Sequence, residues 1–395
     1  MSVTAPAGFE AAGIACGIKD GSAPDLALVA TTDRRPVTTA GVFTTNLATA
    51  APVQISREHL RDGRAAAVVL NSGNANAATG EQGRRDARRM CELTAAELGC
   101  ETAGVLVCST GLIGVQLPMD PIDAGIPKLA GSLGADVGAA GAAADAILTT
   151  DTVRKETVVA VPGHDAVIGG MAKGAAMLAP AMATMLAVLT TDAAVEPRAL
   201  GDALRHAVDD SFNALIVDGC TSTNDTVLVL ANGIADPPVE AHSPTFPGFV
   251  DALTAACTDL AAQMAADAEG ATKRARVTVR GAGSTGDARL AARAVASSQL
   301  VQCSLNGGDP YWGRILSEVG ASGAVFDPER VDLAYNGVVV CRDGIAADHD
   351  DAELARVMAG PEIDITCDLH QGAGHARVLC TDLSHAYIDE NRRTS

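Results

Sequence analysis

Short apolar stretches that end in polar turns recur through the first 120 residues. Two of them, "AAAVVLNSG" (65–73) and "GVLVCSTG" (104–111), combine Val, Leu and Ala with a terminal glycine, a pattern typical of buried β-strands. The segment between them carries apolar residues at helical spacing. We predict a helix there that begins with a capping box from Thr79 to Gln82 and ends near Gly99.

Helical periodicity returns in the middle of the chain. An Ala-rich stretch directly before Asp151 predicts a short helix. One amphipathic segment places Leu200 and Leu204 on a single face, and another does the same with Leu253 and Leu260. These segments predict two longer helices, each with one buried stripe.

The last third of the chain has the two-residue alternation of strands. A Pro-rich segment (235–248) comes first and predicts a surface connection. "RARVTVRG" (274–281) then alternates apolar with charged residues, and Asn336-Gly337 is a hairpin pair. Because alternating strands have one polar face, they indicate antiparallel pairing. The expected fold is therefore α/β (α+β), with helices packed on antiparallel or mixed β-sheets.

Composition excludes several classes of protein. The 395 residues are 48% hydrophobic and 19% charged, as expected for a globular chain with a large core. With 29 Lys and Arg against 48 Asp and Glu, the net charge is −19. Such a charge repels phosphate backbones and anionic lipid surfaces, so no nucleic-acid or membrane partner is expected.

Cysteines and the N-terminus predict a reducing compartment. None of the ten cysteines forms a CxxC pair, so we expect free core thiols and no bound metal. The first residues lack a basic segment followed by a hydrophobic one, and no secretory signal is expected. The uncharged run 174–191 contains Gly174 and Pro180, which argues against a membrane span. We therefore expect a cytoplasmic protein.

Three familiar motifs have simpler explanations than catalysis or ligand binding. "GAGSTG" (281–286) matches a dinucleotide fingerprint, but the strand before it alternates and is not buried on both faces, so a plain turn is favoured. "DHDD" (348–351) precedes a helix-like segment, where acids cap free amides. His370 and His375 have no further ligand nearby in the sequence.

A single threonine, Thr184, lies in the apolar segment "LAPAMATMLAVLTTD" (178–192). Threonine is a good strand residue, so its spacing alone favours simple packing. Two neighbouring features weaken that interpretation. Lys173 is a lone cation upstream, and "STG" (109–111) ends another apolar strand with the backbone freedom of glycine.

Segments throughout the chain resemble the ornithine acetyltransferase family, also called glutamate N-acetyltransferase, of arginine biosynthesis. The likeness is strongest in "GGMAKGAAMLAPAMATMLAVLTTDA" (169–193), which is similar to the family's self-cleavage segment. The other similar segments are "NSGNANAATG" (71–80), "CSTGLIG" (108–114), "ILTTD" (147–151), "SFNALIVDGCTSTNDT" (211–226), "DAEGATK" (267–273), "DPYWGR" (309–314) and "TDLSHAYIDEN" (381–391).

The resemblance implies that the chain cuts itself at the Ala183–Thr184 bond. Residues 1–183 would form an alpha chain and residues 184–395 a beta chain that begins with the nucleophile Thr184. An N-terminal threonine suits this role, because its α-amine has a pKa of roughly 8 and can act as general base. The implied fold is a self-processing, N-terminal-nucleophile-like sandwich.

Further roles carry over by position. Thr110 and Gly111 match the family's oxyanion hole, whose donors stabilise the charge that develops on the reacting carbonyl oxygen. By charge, we expect Lys173 to meet a substrate carboxylate and Glu269 an ornithine ammonium group. The implied substrate contacts are Thr150, Lys173, Thr184, Glu269, Asn391 and Ser395, the last chosen although the tail "ENRRTS" lacks the family's usual tyrosine.

The implied reaction is a ping-pong transfer of acetyl from N2-acetylornithine to glutamate through an acetyl-Thr184 intermediate. The resemblance implies no metal or cofactor, leaves acetyl-CoA open as a second donor, and implies a heterotetramer of two alpha and two beta chains. Ala176 and Tyr311 differ from the residues usual in the family. The properties that these two differences put in question are the efficiency of self-cleavage and the preference for substrate.

Two alternatives stay open from the sequence. One is a related self-processing amidohydrolase or aminopeptidase that uses water as the acceptor. The other is a protein without catalysis, in which Thr184 only packs in a strand.

Overall fold

The computed structural model describes residues 2–177 and 185–392. The strands in these residues are β1 (Phe9–Ile14), β2 (Leu26–Thr31), β3 (Val37–Phe43), β4 (Arg64–Ala65), β5 (Ala67–Asn71), β6 (Val105–Ser109), β7 (Lys155–Ala160), β8 (Val167–Lys173), β9 (Leu186–Val195), β10 (Leu215–Ile216), β11 (Thr226–Val239), β12 (Arg274–Ala282), β13 (Asp332–Tyr335), β14 (Val338–Arg342), β15 (Ile345–Ala346), β16 (Glu362–Asp368) and β17 (Gly374–Thr381).

The α-helices alternate with these strands along the chain. They are α1 (Ala51–His59), α2 (Gly80–Leu98), α3 (Met119–Ala130), α4 (Val137–Ala146), α5 (Pro197–Asp209), α6 (Phe246–Ala266), α7 (Thr285–Ser297), α8 (Gln299–Gly307), α9 (Trp312–Ala321), α10 (Asp351–Met358) and α11 (His385–Glu390).

Two compact units divide the chain. Of the described residues, unit 1 contains 2–177, 185–213 and 220–264, and unit 2 contains 214–219 and 265–392. Unit 1 therefore includes the strands on both sides of the predicted cleavage segment.

A four-stranded sheet with the order β1-β2-β5-β6 forms the centre of unit 1. Every residue of β2, β5 and β6 is buried, as expected for strands covered on both faces. On one face, Val69 and Val107 pack with Ile55 of α1, Met90 of α2 and Ile126 of α3. This cluster forms one hydrophobic core of unit 1.

The other face packs against a six-stranded sheet with the order β4-β3-β11-β9-β8-β7. Leu70 and Leu106 from the first sheet share a core with Met171, Leu186 and Leu228 from the second. The outer face of the second sheet is covered by α6, and α5 packs on β3. Unit 1 is thus a sandwich of two sheets with helices on its outer faces.

Unit 2 contains a seven-stranded sheet with the order β10-β17-β12-β16-β13-β14-β15. Its buried face, with Val277 and Val279 of β12, packs against α7, α9 and α10. Its other face carries ion pairs, such as Arg276 with Asp364 at 2.7 Å. The alternation predicted for β12 is therefore confirmed.

Three sequence predictions need correction. Thr79 is the N-cap of α2, but its hydroxyl donates to Asn76, so no capping box forms, although Gly99 does end the helix in the left-handed region. The Pro-rich segment is not only a connection, because β11 extends to Val239 and α6 begins at Phe246. The pairing is also mixed, since β12 is parallel to β16. Alternation reports which face is polar, not the direction of the neighbouring strand.

The turn between β1 and β2 depends on one buried carboxylate. Asp25 accepts hydrogen bonds from the backbone N–H groups of Cys16, Gly17, Ile18 and Lys19, at 2.6 to 3.1 Å. Burial opposes ionisation, but these donors stabilise the carboxylate and hold the pKa of Asp25 below its usual range.

We expect Asp25→Ala to lower the free energy of unfolding by about 2–4 kcal/mol, because it leaves four amides without their acceptor. Chemical denaturation of purified protein measures the loss. Asp20→Ala is the matched control, since Asp20 lies in the same turn but is exposed. Equal stability of the two variants would contradict this role for Asp25.

Candidate functional site

Strand ends from the two sheets of unit 1 carry three of the predicted site residues, Thr110, Gly111 and Lys173. In the six-stranded sheet, Lys173 at the end of β8 pairs with Leu186 at the start of β9, and Leu186 pairs with Thr226 at the start of β11. In the four-stranded sheet, Asn71 at the end of β5 pairs with Ser109 at the end of β6. We call these strand ends and their adjoining turns the strand-end cluster.

The turn after β6 holds Thr110 and Gly111 in a fixed conformation. The backbone N–H of Thr110 donates to the carbonyl of Asn71 at 3.0 Å. Gly111 has φ of 131°, and a Cβ there would lie 2.3 Å from the carbonyl carbon of Gly73. Only glycine therefore fits this position.

This turn leaves donors available for an oxyanion. Among the described residues, neither the N–H of Gly111 nor the hydroxyl of Thr110 has a hydrogen-bond partner. Gly111 is exposed and Thr110 is buried. Because the N–H of Thr110 is already engaged, the Gly111 amide and the Thr110 hydroxyl are the two groups that can serve.

Asn224, which sequence analysis missed, links the two sheets at this point. Its buried amide donates to the carbonyl of Ser109 at 2.9 Å and to the carbonyl of Ala75 at 2.6 Å. Its own oxygen accepts from the hydroxyl of Thr223 at 2.6 Å. The residue before Thr110 is thus tied to the segment that leads into β11.

Buried charges surround Lys173. Its ammonium nitrogen lies 2.6 Å from the hydroxyl of Thr149 and 3.6 Å from a carboxylate oxygen of Asp151. The other oxygen of Asp151 accepts from Lys155 at 2.7 Å and from the N–H of Gly174 at 2.6 Å. Lys173 therefore has a carboxylate neighbour, and the description of it as a lone cation holds only along the sequence.

These contacts fix the charge states of the buried groups. Burial alone would raise the pKa of Asp151, but Lys173 and then Lys155 outweigh it and lower that pKa to about 2. Lys19 lies nearby and donates to the carbonyl of Leu148 at 2.6 Å. Burial, opposed in part by Asp25, lowers the pKa of Lys19, and Lys173 lowers it further. Thr150 is exposed and lies between Thr149 and Asp151 in the chain.

Unit 2 brings together the two other described site residues. The amide nitrogen of Asn391 donates to Glu269 at 2.8 Å and to the carbonyl of Tyr387 in α11 at 3.0 Å. Asn391 is exposed and Glu269 is partly buried. The Glu269 carboxylate keeps one oxygen outside this hydrogen bond, so it can still meet a cation.

Ala183, Thr184 and Ser395 lie outside the described residues. The predicted nucleophile, the scissile bond and the last substrate contact therefore stay predictions. Met185, the residue after Thr184, is described and buried, and it directly precedes β9.

The DHDD motif is a helix cap, as predicted. Asp350 caps α10 by accepting from Ala352 and Glu353. All ten cysteines are free. Within 2–177 and 185–392, no group of three or more His, Cys, Asp or Glu residues is arranged to hold a metal ion. No helix in the same residues is both long and apolar enough to cross a membrane.

Asp151, Lys155, Asn224 and Asp225 are polar residues that sequence analysis did not assign. The sequence does mark one pair as candidate site residues, because Asn224-Asp225 directly precedes an apolar strand. Nothing in the sequence marks Asp151 and Lys155, because only the pairing of β7 with β8 brings them to Lys173.

A two-sheet sandwich covered by helices, with polar turns gathered at one set of strand ends, gives unit 1 the α/β class of fold that the sequence predicted. Residues 10–394 match the ArgJ family, to which this chain belongs. The chain is therefore an enzyme of the ornithine acetyltransferase and glutamate N-acetyltransferase type, and the resemblance seen in the sequence is confirmed.

Named relatives are similar over almost the whole chain. The arginine biosynthesis bifunctional protein ArgJ of Mycobacterium leprae is 49% identical and aligns over 99% of this chain and 95% of its own length. The protein of the same name from Symbiobacterium thermophilum is 49% identical over 98% of this chain and 97% of its own length.

One solved structure is informative about chain length. A crystal structure of the arginine biosynthesis bifunctional protein ArgJ from Bacillus halodurans is 34% identical, with a TM-score of 0.50. The similarity covers 96% of that chain but only 51% of this one. The solved chain thus corresponds to about half of the present sequence.

If Gly111 has the predicted oxyanion role, we expect Gly111→Ala to lower kcat by roughly 10- to 100-fold, because the new methyl group would displace the donating amide. Steady-state acetyl transfer measures the effect. Gly114→Ala is the matched control, since Gly114 also has a positive φ of 84° in the same turn but meets nothing within 4 Å. Similar kcat values for the two variants would argue against an oxyanion role.

Proposed function

We propose that this enzyme cuts itself between Ala183 and Thr184 and then moves acetyl from N2-acetylornithine to glutamate through an acetyl-Thr184 intermediate. The observation that carries the proposal is the position of Met185. It precedes Leu186, which pairs with Lys173 in the strand-end cluster. Thr184 is therefore one residue away, along the chain, from the cluster that contains Gly111.

The chemistry follows from the type of residue that cleavage would expose. A threonine hydroxyl is a weak nucleophile unless a base removes its proton. Cleavage before Thr184 creates an α-amine on the same residue, and this amine can act as the base near neutral pH. The Gly111 amide and the Thr110 hydroxyl are donors of the kind that stabilises the tetrahedral oxyanion.

The Bacillus halodurans comparison supports the cleavage. A solved chain that matches over 96% of its length yet spans 51% of this sequence is the size expected for one product of a central cut. Cleavage at the proposed bond would divide this chain into residues 1–183 and 184–395, two parts of similar length.

Substrate recognition is proposed from charge. Lys173 is buried beside Thr149, and its ammonium group suits a substrate carboxylate. Glu269 suits the side-chain ammonium of ornithine, and Asn391 holds one of its oxygens. Thr150 and Ser395 complete the proposed contacts.

The remaining parts of the proposal rest on the family resemblance. The proposed reaction needs no metal or organic cofactor. If the enzyme is bifunctional, acetyl-CoA is the second acetyl donor to glutamate. The two chains are proposed to stay together as a heterotetramer of two alpha and two beta chains in the cytoplasm. The net charge of −19 is compatible with small-molecule substrates rather than nucleic acid.

We expect purified protein to give two masses, for residues 1–183 and 184–395, with the second chain beginning Thr-Met-Leu. Thr184→Ala should remain one chain and lose acetyl transfer, because both the cleavage and the nucleophile need the hydroxyl. Intact mass, N-terminal sequencing and an assay of N-acetylglutamate formation measure these results.

Thr191→Ala is the matched control, because Thr191 lies in β9 and its hydroxyl donates to the carbonyl of Val167 at 2.8 Å. That variant should be cut and active. A folded wild-type chain that stays uncut would refute the proposal, and release of acetate without N-acetylglutamate would instead identify a hydrolase.

We expect Glu269→Gln to raise KM for N-acetylornithine about 10-fold with little change in kcat, because it removes the charge but keeps an acceptor for Asn391. Steady-state kinetics at saturating glutamate measure KM and kcat separately. Glu362→Gln, which removes a surface ion pair with Arg274 in the same unit, is the control. An unchanged KM would argue against contact between Glu269 and the substrate.

A further inference from the structure

Lys19 is a partly buried cation that the reaction proposed above does not use. It lies in the turn between β1 and β2 of unit 1. Its ammonium nitrogen donates to the carbonyl of Pro24 at 2.9 Å and to the carbonyl of Leu148 at 2.6 Å. Because an ammonium group has three N–H donors, one of them is left without a partner among the described residues.

No carboxylate pairs directly with this ammonium group. In the part of the chain that the structure describes, no carboxylate oxygen lies within 4.0 Å of the Lys19 nitrogen. Asp151, by contrast, is shared between Lys155 and Lys173. Burial lowers the pKa of Lys19, Asp25 opposes this in part, and the field of Lys173 adds to it. Because burial of an unpaired charge is costly, the remaining N–H of Lys19 is well suited to an anionic ligand.

Packing places Lys19 beside the turn that holds the predicted oxyanion donor. The backbone N–H of Lys19 donates to the carboxylate of Asp25 at 3.0 Å, which fixes the start of its side chain. A Cβ on Gly73 would lie 2.9 Å from the Cγ atom of Lys19, and a Cβ on Gly111 would lie 2.3 Å from the carbonyl carbon of Gly73. The stem of Lys19 therefore packs against the same residue that Gly111 contacts.

Lys19 and Lys173 bind neighbouring residues of one turn. The ammonium nitrogen of Lys173 lies 2.6 Å from the hydroxyl of Thr149, and that of Lys19 lies 2.6 Å from the carbonyl oxygen of Leu148. Covalent bond lengths keep these two oxygens within about 5 Å of each other, so the two ammonium nitrogens are at most about 10 Å apart. Thr150, the next residue along the chain, is exposed.

This spacing suits a short dicarboxylate. The two carboxyl carbons of a five-carbon diacid lie at most about 5 Å apart, and each carboxylate reaches its ammonium partner through a hydrogen bond of roughly 2.8 Å. Such a molecule can therefore bridge two ammonium nitrogens that are about 10 Å apart. On a chain whose net charge is −19, two ammonium groups this close together also mark a favourable place for an anion.

We propose that Lys19 is a specificity-determining residue that binds the side-chain carboxylate of the acceptor, glutamate, while Lys173 binds the α-carboxylate. The inference rests on the proposed function, because it takes glutamate as the acceptor and Lys173 as the partner of the α-carboxylate. N-acetylornithine has an ammonium group on its side chain where glutamate has a carboxylate, so Lys19 does not bind the side chain of the donor. The enzyme thereby distinguishes its acceptor from its donor by charge.

Lys19→Met tests the proposal, because methionine keeps a flexible, unbranched side chain but has no charge. We expect KM for glutamate to rise roughly 10- to 100-fold, the loss typical of a hydrogen bond between charged groups. KM for N-acetylornithine should stay within about two-fold. The preference for glutamate over glutamine as acceptor, measured as the ratio of their kcat/KM values, should fall by a similar factor, because the side chain of glutamine is uncharged.

Lys128→Met is the matched control, since it removes the same charge from an exposed position in α3 of the same unit. It should keep the wild-type KM for glutamate. Lys19→Arg keeps the charge and the donors, and it should retain most of the preference for glutamate over glutamine. Equal rises in KM for both substrates of Lys19→Met, or an unchanged preference for glutamate, would overturn the role of Lys19 while leaving the proposed function intact.

A labelling experiment on the wild-type protein covers the case in which Lys19→Met fails to fold. Cyanate carbamylates the neutral form of an amine, and peptide mass mapping measures the modified fraction at Lys19, with Lys128 as the internal reference. A bound carboxylate covers the ammonium group and raises its pKa, so saturating glutamate should slow carbamylation of Lys19 at least about 5-fold, and N-acetylornithine should not. Absence of protection by glutamate, or equal protection by both molecules, would overturn the proposal. Wild-type protein that forms no N-acetylglutamate would overturn both it and the proposed function.

Discussion

The shared core between the two sheets of unit 1 is the constraint on which the site depends. Leu70 and Leu106 on one sheet and Leu186 and Leu228 on the other are buried against each other, so the register of each strand is set by its apolar face. With the register fixed, β5, β6, β8, β9 and β11 begin or end within one region. Polar residues that terminate those strands must then lie close together and satisfy one another.

Hydrogen bonds and buried charge explain how such a polar region is tolerated. Asn224 joins the turn after β6 to the start of β11, and Asp151 lies between the ammonium groups of Lys155 and Lys173. A buried ion pair is weak evidence for stability, because desolvation offsets most of the attraction. These groups are better understood as fixing the orientation of Lys173 and the turn that holds Gly111.

The strand-end cluster thus contains two kinds of backbone support. Gly111 is held by a conformation that only glycine adopts readily, and Met185 is held through the side chain of Asp225. Both arrangements position an N–H group, one facing a reacting carbonyl in the proposed mechanism and the other next to the nucleophile. Rigid placement of this kind is what lets donors stabilise a transition state without reorganising.

The sequence by itself determined the family, most helices and strands, and the buried faces, because periodicity depends on local spacing and the family's segments occur in order along the chain. It also predicted site roles for Gly111 and Lys173, which the tertiary structure places at strand ends of unit 1. It could not determine that β12 and β16 are parallel, that the Pro-rich segment continues β11, or that Asp151 reaches Lys173. Only the tertiary structure decided these, because each depends on which distant strands pair.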